Sequence, residues 1–295
     1  MHVHLLDGTY ELFRQHFGRK RAGGRDAESP YSATVGVLRS VLTLLTDGAT
    51  HIGVASDHVI ESFRNDLWPG YKTSEGMPPE LLAQIPLLED SLTAMGVTVW
   101  AVVEWEADDA LASAAAVAVM DERVERVEIL TPDKDLGQCV GGKVVQVDRR
   151  QQKVLDAEGV REKFGVPPES IPDYLALVGD SADGFPGVSG WGAKSAAAVL
   201  SRYGHLEDIP TGPGQWDVPG VRNARGLMAS LLAQFDQAML FRRLATLDLD
   251  VPVGTVDDWE WTGPAEPDVF ADWCRRLGAP DLPGRVAALV RARHS

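Results

Sequence analysis

The sequence predicts an α/β fold, a parallel sheet flanked by helices, with a helical region after it. Three observations carry this. Short β-rich runs alternate with helical stretches through the first half, strand signals stop at about residue 158, and the rest reads as short helices broken by Gly and Pro. The strand candidates are residues 3–6, 51–56, 97–103, 127–131 and 143–147. Between them the apolar residues of 79–95 and of the Ala-rich 107–120 recur at helical spacing. The later helix candidates are 168–178, 193–203, 227–244, 267–277 and 282–293, and the loop 209–220, with three Pro and three Gly, is the clearest internal break.

The length of 295 residues, with 44% hydrophobic and 24% charged content, is enough for one large α/β domain or a core with a smaller helical appendage. The start, residues 1–6, is too short and too poor in charge for a signal peptide, and no run approaches the roughly 20 apolar residues of a membrane span. Cys139 and Cys274 are too few and too far apart for a disulfide scaffold or a zinc site, which fits a reducing cytoplasm.

A net charge of −15 argues against a polyanionic partner, because phosphate binding favours an excess of cations. Nine of the acids, however, fall in motifs that can gather round divalent cations, which leaves −6 for the rest of the chain. Arg14, Arg19, Lys20, Arg21 and Arg25 follow one another with no acid among them, either a phosphate-contacting loop or a solvated one.

In an open parallel sheet the ligand site lies beyond the carboxyl ends of the strands. Asp7 closes the first strand candidate, Asp57 closes the second in VASD, and Asp133 and Asp135 follow the fourth in ILTPDKD. Glu106, Asp108 and Asp109 begin the Ala-rich helix in EWEADDA, and Asp180 and Asp183 in VGDSADGFPGV are spaced to share a face of a helical turn. Singly, each acid is ordinarily a cap, a dipole partner or a polar turn. Together at one sheet edge they would repel and raise one another's pKa unless cations intervened. Oxygen-only ligands favour magnesium or manganese over zinc, and two such ions about 4 Å apart can hold a phosphodiester and activate a water. That chemistry needs no histidine base, so His2, His4, His16, His51, His58, His205 and His294 read as structural or solvent-facing.

The run GVSGWGAKSAAAVL places Gly187, Gly190 and Gly192 before a helical segment, where a helix start offers free N–H groups to phosphate; the same pattern also serves as a plain connector. It lacks the Walker A spacing.

Taken in order, DG near the N-terminus, VASD, SFR then GYK, EADD, TPDKD, GDSADGFPGV and GVSGWGAKSA resemble the bacterial 5′ nuclease and flap-endonuclease family, which includes the 5′→3′ exonuclease domain of DNA polymerase I. The resemblance runs over essentially the whole chain and implies a stand-alone relative of that domain. Implied are a PIN-like core over 1–165 with a helical arch near 62–90, and a helical SAM-like region over 166–295 with a helix-two-turn-helix element at 180–200. It further implies a metal-dependent 5′→3′ exonuclease and flap endonuclease of DNA replication and repair. Asp7, Asp57, Glu106, Asp108, Asp109, Asp133, Asp135, Asp180 and Asp183 would bind two or three Mg2+ or Mn2+ ions. Asp109, Asp133 and Asp135 would act with Arg64 and Lys72 beside the scissile phosphate, and Tyr71 would stack on a base. Gly190, Gly192, Lys194 and Ser195 would join Arg14, Arg19, Lys20 and Arg21 in holding DNA, with K+ on the carbonyls of Ser189 and Trp191. The implied partner is flapped, nicked or gapped DNA, met by a monomer that works beside a polymerase and a ligase and touches no membrane. Two positions depart from the family pattern, Gly184 where Asn is usual and Glu75 where Arg is usual. A non-cutting DNA-structure binder and an RNA-cleaving PIN enzyme are the competing readings; the complete acid set opposes the first, and the chain length and glycine hairpin oppose the second.

Overall fold

The computed structural model describes residues 1–22, 29–212 and 214–294, with backbone alone for 19–22. In chain order the elements are β1 (His2–Asp7), α1 (Gly8–Ala22), α2 (Ser32–Thr46), β2 (His51–Asp57), α3 (Phe63–Leu67), α4 (Pro79–Leu82), α5 (Ile85–Ala94), β3 (Thr98–Val102), α6 (Ala107–Met120), β4 (Arg126–Leu130), β5 (Val144–Asp148), β6 (Lys153–Leu155), α7 (Ala157–Phe164), α8 (Ile171–Val178), α9 (Ala193–Tyr203), α10 (Ala224–Ala233), α11 (Phe235–Ala245), α12 (Pro267–Leu277) and α13 (Leu282–Arg293). They form two compact units, each assembled from separated stretches: 1–60, 74–131 and 249–295 in the first, 61–73 and 132–248 in the second.

The first unit carries a parallel sheet in the order β3-β2-β1-β4. Its middle strands are buried along most of their length, β2 on both faces, as a parallel sheet covered by helices requires. Parallel pairing needs crossovers, and α1, α2, α5 and α6 supply them. Gly53 on β2 is required by packing, because a Cβ there would stand 2.1 Å from the Trp100 ring on β3. Residues 249–295 return to this unit rather than continuing the helical region. Trp100 and Trp259 meet edge to face at 5.4 Å and both donate their indole N–H to Val253 O, at 3.0 and 2.8 Å. Trp261 donates to Met95 O at 3.0 Å. Three large apolar side chains thereby bury their one polar atom satisfied.

The second unit holds the antiparallel pair β5–β6 and the helices α3 and α7 to α11. Its core joins α8, α9, α10 and α11 through Leu175, Leu177, Val199, Leu200, Leu231 and Phe241. Asp173 on α8, almost fully buried, is neutralised there by Arg242 at 3.1 Å and His205 at 2.9 Å.

Several predicted elements need correction. The predicted helix 79–95 is two, α4 and α5, because Pro86 near the start of α5 has no N–H to donate to the preceding turn. Likewise 227–244 divides at Gln234 into α10 and α11, and 168–178 opens with a 3-10 turn at Pro168–Ser170 before α8. The run from Arg14 toward Arg25 is no loop at its start: α1 extends to Ala22, and Arg14 is bidentate to Glu11 at 2.6 Å. The side chains of Arg19, Lys20 and Arg21, and all of Arg25, lie outside the described residues. The arch region holds short helices only, with residues 68–78 non-helical. Among the described residues no helix is long and apolar enough to cross a membrane.

Candidate active site

In the first unit the strand ends place their acids as expected, and the backbone then holds them. Asp7, the last residue of β1, accepts from Tyr10 N at 2.8 Å with one oxygen and from the Thr131 hydroxyl at 2.9 Å with the other. Asp57, the last residue of β2, accepts from Ala107 N, the first residue of α6, at 2.8 Å, and its own N–H goes to the Thr9 hydroxyl. Glu106 is the N-cap of α6, and Asp109 reaches back to its N–H at 2.9 Å. Asp109 is wholly buried and Asp108 half-buried. Fixed dipoles of this kind stabilise carboxylates near a helix start.

The second unit gathers a different set. Asp135 opens a 3-10 turn (Asp135–Cys139), and Asp180 and Asp183 sit at either end of a tight loop. One oxygen from each of Asp135, Asp180 and Asp183 lies within 4.8 Å of the others, and all three residues are buried. The spacing of Asp180 and Asp183 does not come from a helical turn. Asp180 pairs as an isolated bridge with Phe185, its N–H donating to Phe185 O at 2.8 Å, while Gly184 N returns to Asp180 O at 2.9 Å. Gly184 takes φ +84°, and a Cβ there would come 2.0 Å from Gly70 O. The departure from Asn is thus met by the residue best suited to a left-handed position against backbone.

Burial, then the charges of Asp133, Asp183 and Asp180, push the pKa of Asp135 well above the usual carboxylate range, and Lys134 only partly offsets them. Two lysines face the group: Lys72 Nζ lies 3.1 Å from Asp183 and Lys134 pairs with Asp180. Burial lowers the pKa of Lys134, yet the bond to Asp180 and the nearby carboxylates raise it overall. Asp135 Oδ1 is buried with no hydrogen-bond partner among the described residues. A buried, unpartnered carboxylate oxygen among like charges is the donor set a hard divalent cation satisfies, so the residues fit such an ion. Asp133 is exposed, with Oδ1 accepting from Asp135 N at 3.0 Å.

Other predicted residues are placed differently. Arg64 is 1% exposed, and its guanidinium donates to Leu244 O at 2.8 Å and Thr246 O at 3.1 Å, so it caps α11 instead of offering an open phosphate contact. Tyr71 is buried in the core of the second unit and presents no face for a base. Gly190, Gly192, Lys194 and Ser195 line a groove of about 760 Å3 that is also lined by Arg222 and by Asn223, the N-cap of α10. Ser195 caps its own helix, bonding to Gly192 N at 3.1 Å. The Ser189 carbonyl accepts from the Ser230 hydroxyl at 2.5 Å, and Trp191 is buried with its indole on Leu227 O. Sequence reasoning missed Lys134, although it stands inside the DKD run, and missed Arg222, whose signal was a cation just past the Gly-Pro loop.

Fold and acids together define a helix-flanked parallel-sheet protein with a carboxylate site suited to divalent ions. A family model described as 5′-3′ exonuclease, N-terminal resolvase-like domain, matches residues 2–165, and one described as 5′-3′ exonuclease, C-terminal SAM fold, matches 166–267. The chain belongs to the 5′-3′ exonuclease family. It is 33% identical over 209 residues to a 5′-3′ exonuclease of Aquifex aeolicus, covering 70% of this chain and 71% of that one. It is also 33% identical to DNA polymerase I of Pseudomonas aeruginosa over 92% of this chain, and spans 30% of that protein's length. Among solved structures, T5 5′-exonuclease with bound divalent zinc ions superposes with a TM-score of 0.67 at 19% identity, covering 94% of this chain and 98% of that one. The catalytic core of Rad2 in complex with DNA substrate gives 0.62 at 16% identity, covering 97% and 91%. These two show the likeness of fold.

Proposed function

We propose that the protein is a structure-specific 5′ nuclease that hydrolyses phosphodiester bonds in DNA, as 5′→3′ exonuclease and flap endonuclease. The observation that carries this is the buried trio Asp135, Asp180 and Asp183, with its unpartnered Asp135 oxygen, in a chain of the 5′-3′ exonuclease family. All-oxygen donors favour Mg2+ or Mn2+, held by this trio with Asp133, while Asp7, Asp57, Glu106, Asp108 and Asp109 serve as the acid set of the first unit. Such ions supply an activated water and charge stabilisation at the phosphate. Lys72 is assigned to the scissile phosphate, where a cation matched to growing negative charge stabilises the transition state.

Duplex backbone is assigned to the groove at the start of α9, where Lys194 and the N–H groups of the first turn meet phosphate, with Arg222 facing them. A potassium ion on the Ser189 and Trp191 carbonyls would add to that hold; the Ser230 hydroxyl already on Ser189 O takes one of its two lone pairs. Glu75 is exposed and would weaken the grip on DNA relative to the family's usual Arg. Monomeric action beside a polymerase and a ligase in the cytoplasm completes the reading.

The test is cleavage of a nicked duplex with and without a 5′ flap, beside a matched RNA flap, with product lengths mapped. Magnesium-dependent release of the DNA flap is expected. Cleavage of RNA alone, or binding without cleavage, would replace this reading.

A further inference from the structure

We propose that Gln138 is a positioning residue for the acid trio, acting through the C-terminal end of α11. The inference rests on the reading that Asp135 takes a divalent cation. Asp135 sits among like charges with one oxygen unpartnered, so its own side chain provides little to hold it in place. Its backbone is held instead. Asp135 N donates to the Asp133 carboxylate at 3.0 Å, and Gln146 on β5 donates to Asp133 O. Both bonds stay within the acid loop and its neighbouring strand.

Gln138 reaches further. Its Nε2 donates to Asp135 O at 2.8 Å and to Ala245 O at 3.0 Å, and its Oε1 accepts from Leu247 N at 3.1 Å. Both amide hydrogens and the carbonyl are therefore engaged, which fixes the side chain in one orientation. Ala245 is the last residue of α11, where backbone carbonyls lack intrahelical partners. Buried Arg64 takes the alternate carbonyls, Leu244 O and Thr246 O. Four successive residues, Leu244 to Leu247, are thus bound by two side chains, and one of those side chains also carries the backbone of Asp135. The helix end is the rigid reference and Gln138 is the strut.

Gln138→Met keeps the length of the side chain and removes all three bonds. Mn2+ binding to the full chain without DNA, read from the free-ion EPR signal, is expected to weaken by about tenfold or more, the scale on which partners behind metal ligands act. Cleavage should slow at low Mn2+ and recover at high Mn2+, while affinity for flap DNA in EDTA stays unchanged. A merely structural role would lower the melting temperature and leave the Mn2+ midpoint where it was, and that result overturns the proposal while the nuclease reading stands. A wild-type chain that binds no Mn2+ overturns both. Should Gln138→Met fail to fold, Gln138→Glu, which keeps the acceptor for Leu247 N and loses both donors, carries the same test with the same outcomes.

Discussion

The acids of the two units are held in opposite ways. In the first unit Asp7, Asp57 and Asp109 each accept a backbone N–H near a helix start, so the fold welcomes their charge. In the second, Asp135 is buried beside Asp180 and Asp183, and lysines meet only part of the charge. One set is stabilised by the chain itself; the other carries repulsion that a bound cation would relieve. The acids that cost stability are therefore the ones to watch for ion binding.

Paired substitutions test that contrast most strongly. Asp135→Asn should reduce single-turnover cleavage by about 1000-fold, roughly 4 kcal/mol of lost transition-state stabilisation. The same change should raise the melting temperature in EDTA at neutral pH. An acid whose pKa is raised on folding opposes folding wherever it must be ionised, and Asn removes that penalty. Asp7→Ala should do the reverse in EDTA, lowering stability by about 1–2 kcal/mol through loss of a helix-start acceptor. Equal destabilisation by both would show that the two units hold their acids in the same way.

Lys72→Ala sharpens the contrast next. Removing the cation beside Asp183 should slow single-turnover cleavage by about 100-fold with little change in DNA affinity. An unchanged rate at saturating protein would show that Lys72 serves only its ion pair.

Lys194→Ala, in the groove of α9, should weaken DNA binding several-fold without altering the saturated rate, and lower the salt slope by about 1. A rate defect with intact binding would place the groove in the chemistry instead.

The smallest effect concerns pH and a well-compensated acid. The bond to Asp173 raises the pKa of His205. Its stabilisation is therefore full below the ordinary histidine value near 6.5 and fades as pH rises through the raised folded value. Melting temperature should fall modestly across that window, and His205→Asn should flatten the fall.

Much of this was legible in sequence. β1, β2, β3 and β4 were read within a residue or two because they are apolar runs ending on acids or loops, and α6, α9, α12 and α13 matched at both ends. The strand-end acids followed from that. β6 has three residues, too short to leave a pattern, and α1 was hidden by its basic, glycine-bearing end. The burial of Arg64 and Tyr71 is not legible in sequence for a tertiary reason. Their place beside Lys72 in the chain says nothing of the α11 carbonyls or the apolar core that take them up. Gln138 is silent in sequence on the same grounds, since two of its three bonds go to residues more than 100 positions away.

Single-turnover cleavage of a 5′-flap duplex by wild type and Asp135→Asn, in Mg2+ and after chelation, beside DNA affinity measured in Ca2+, decides whether the buried trio holds the divalent ions of a 5′ nuclease. Wild type should release the flap in Mg2+ alone, and Asp135→Asn should bind the flap but not cut it. Full cleavage by the chelated wild type, or by Asp135→Asn, would contradict that role of the trio.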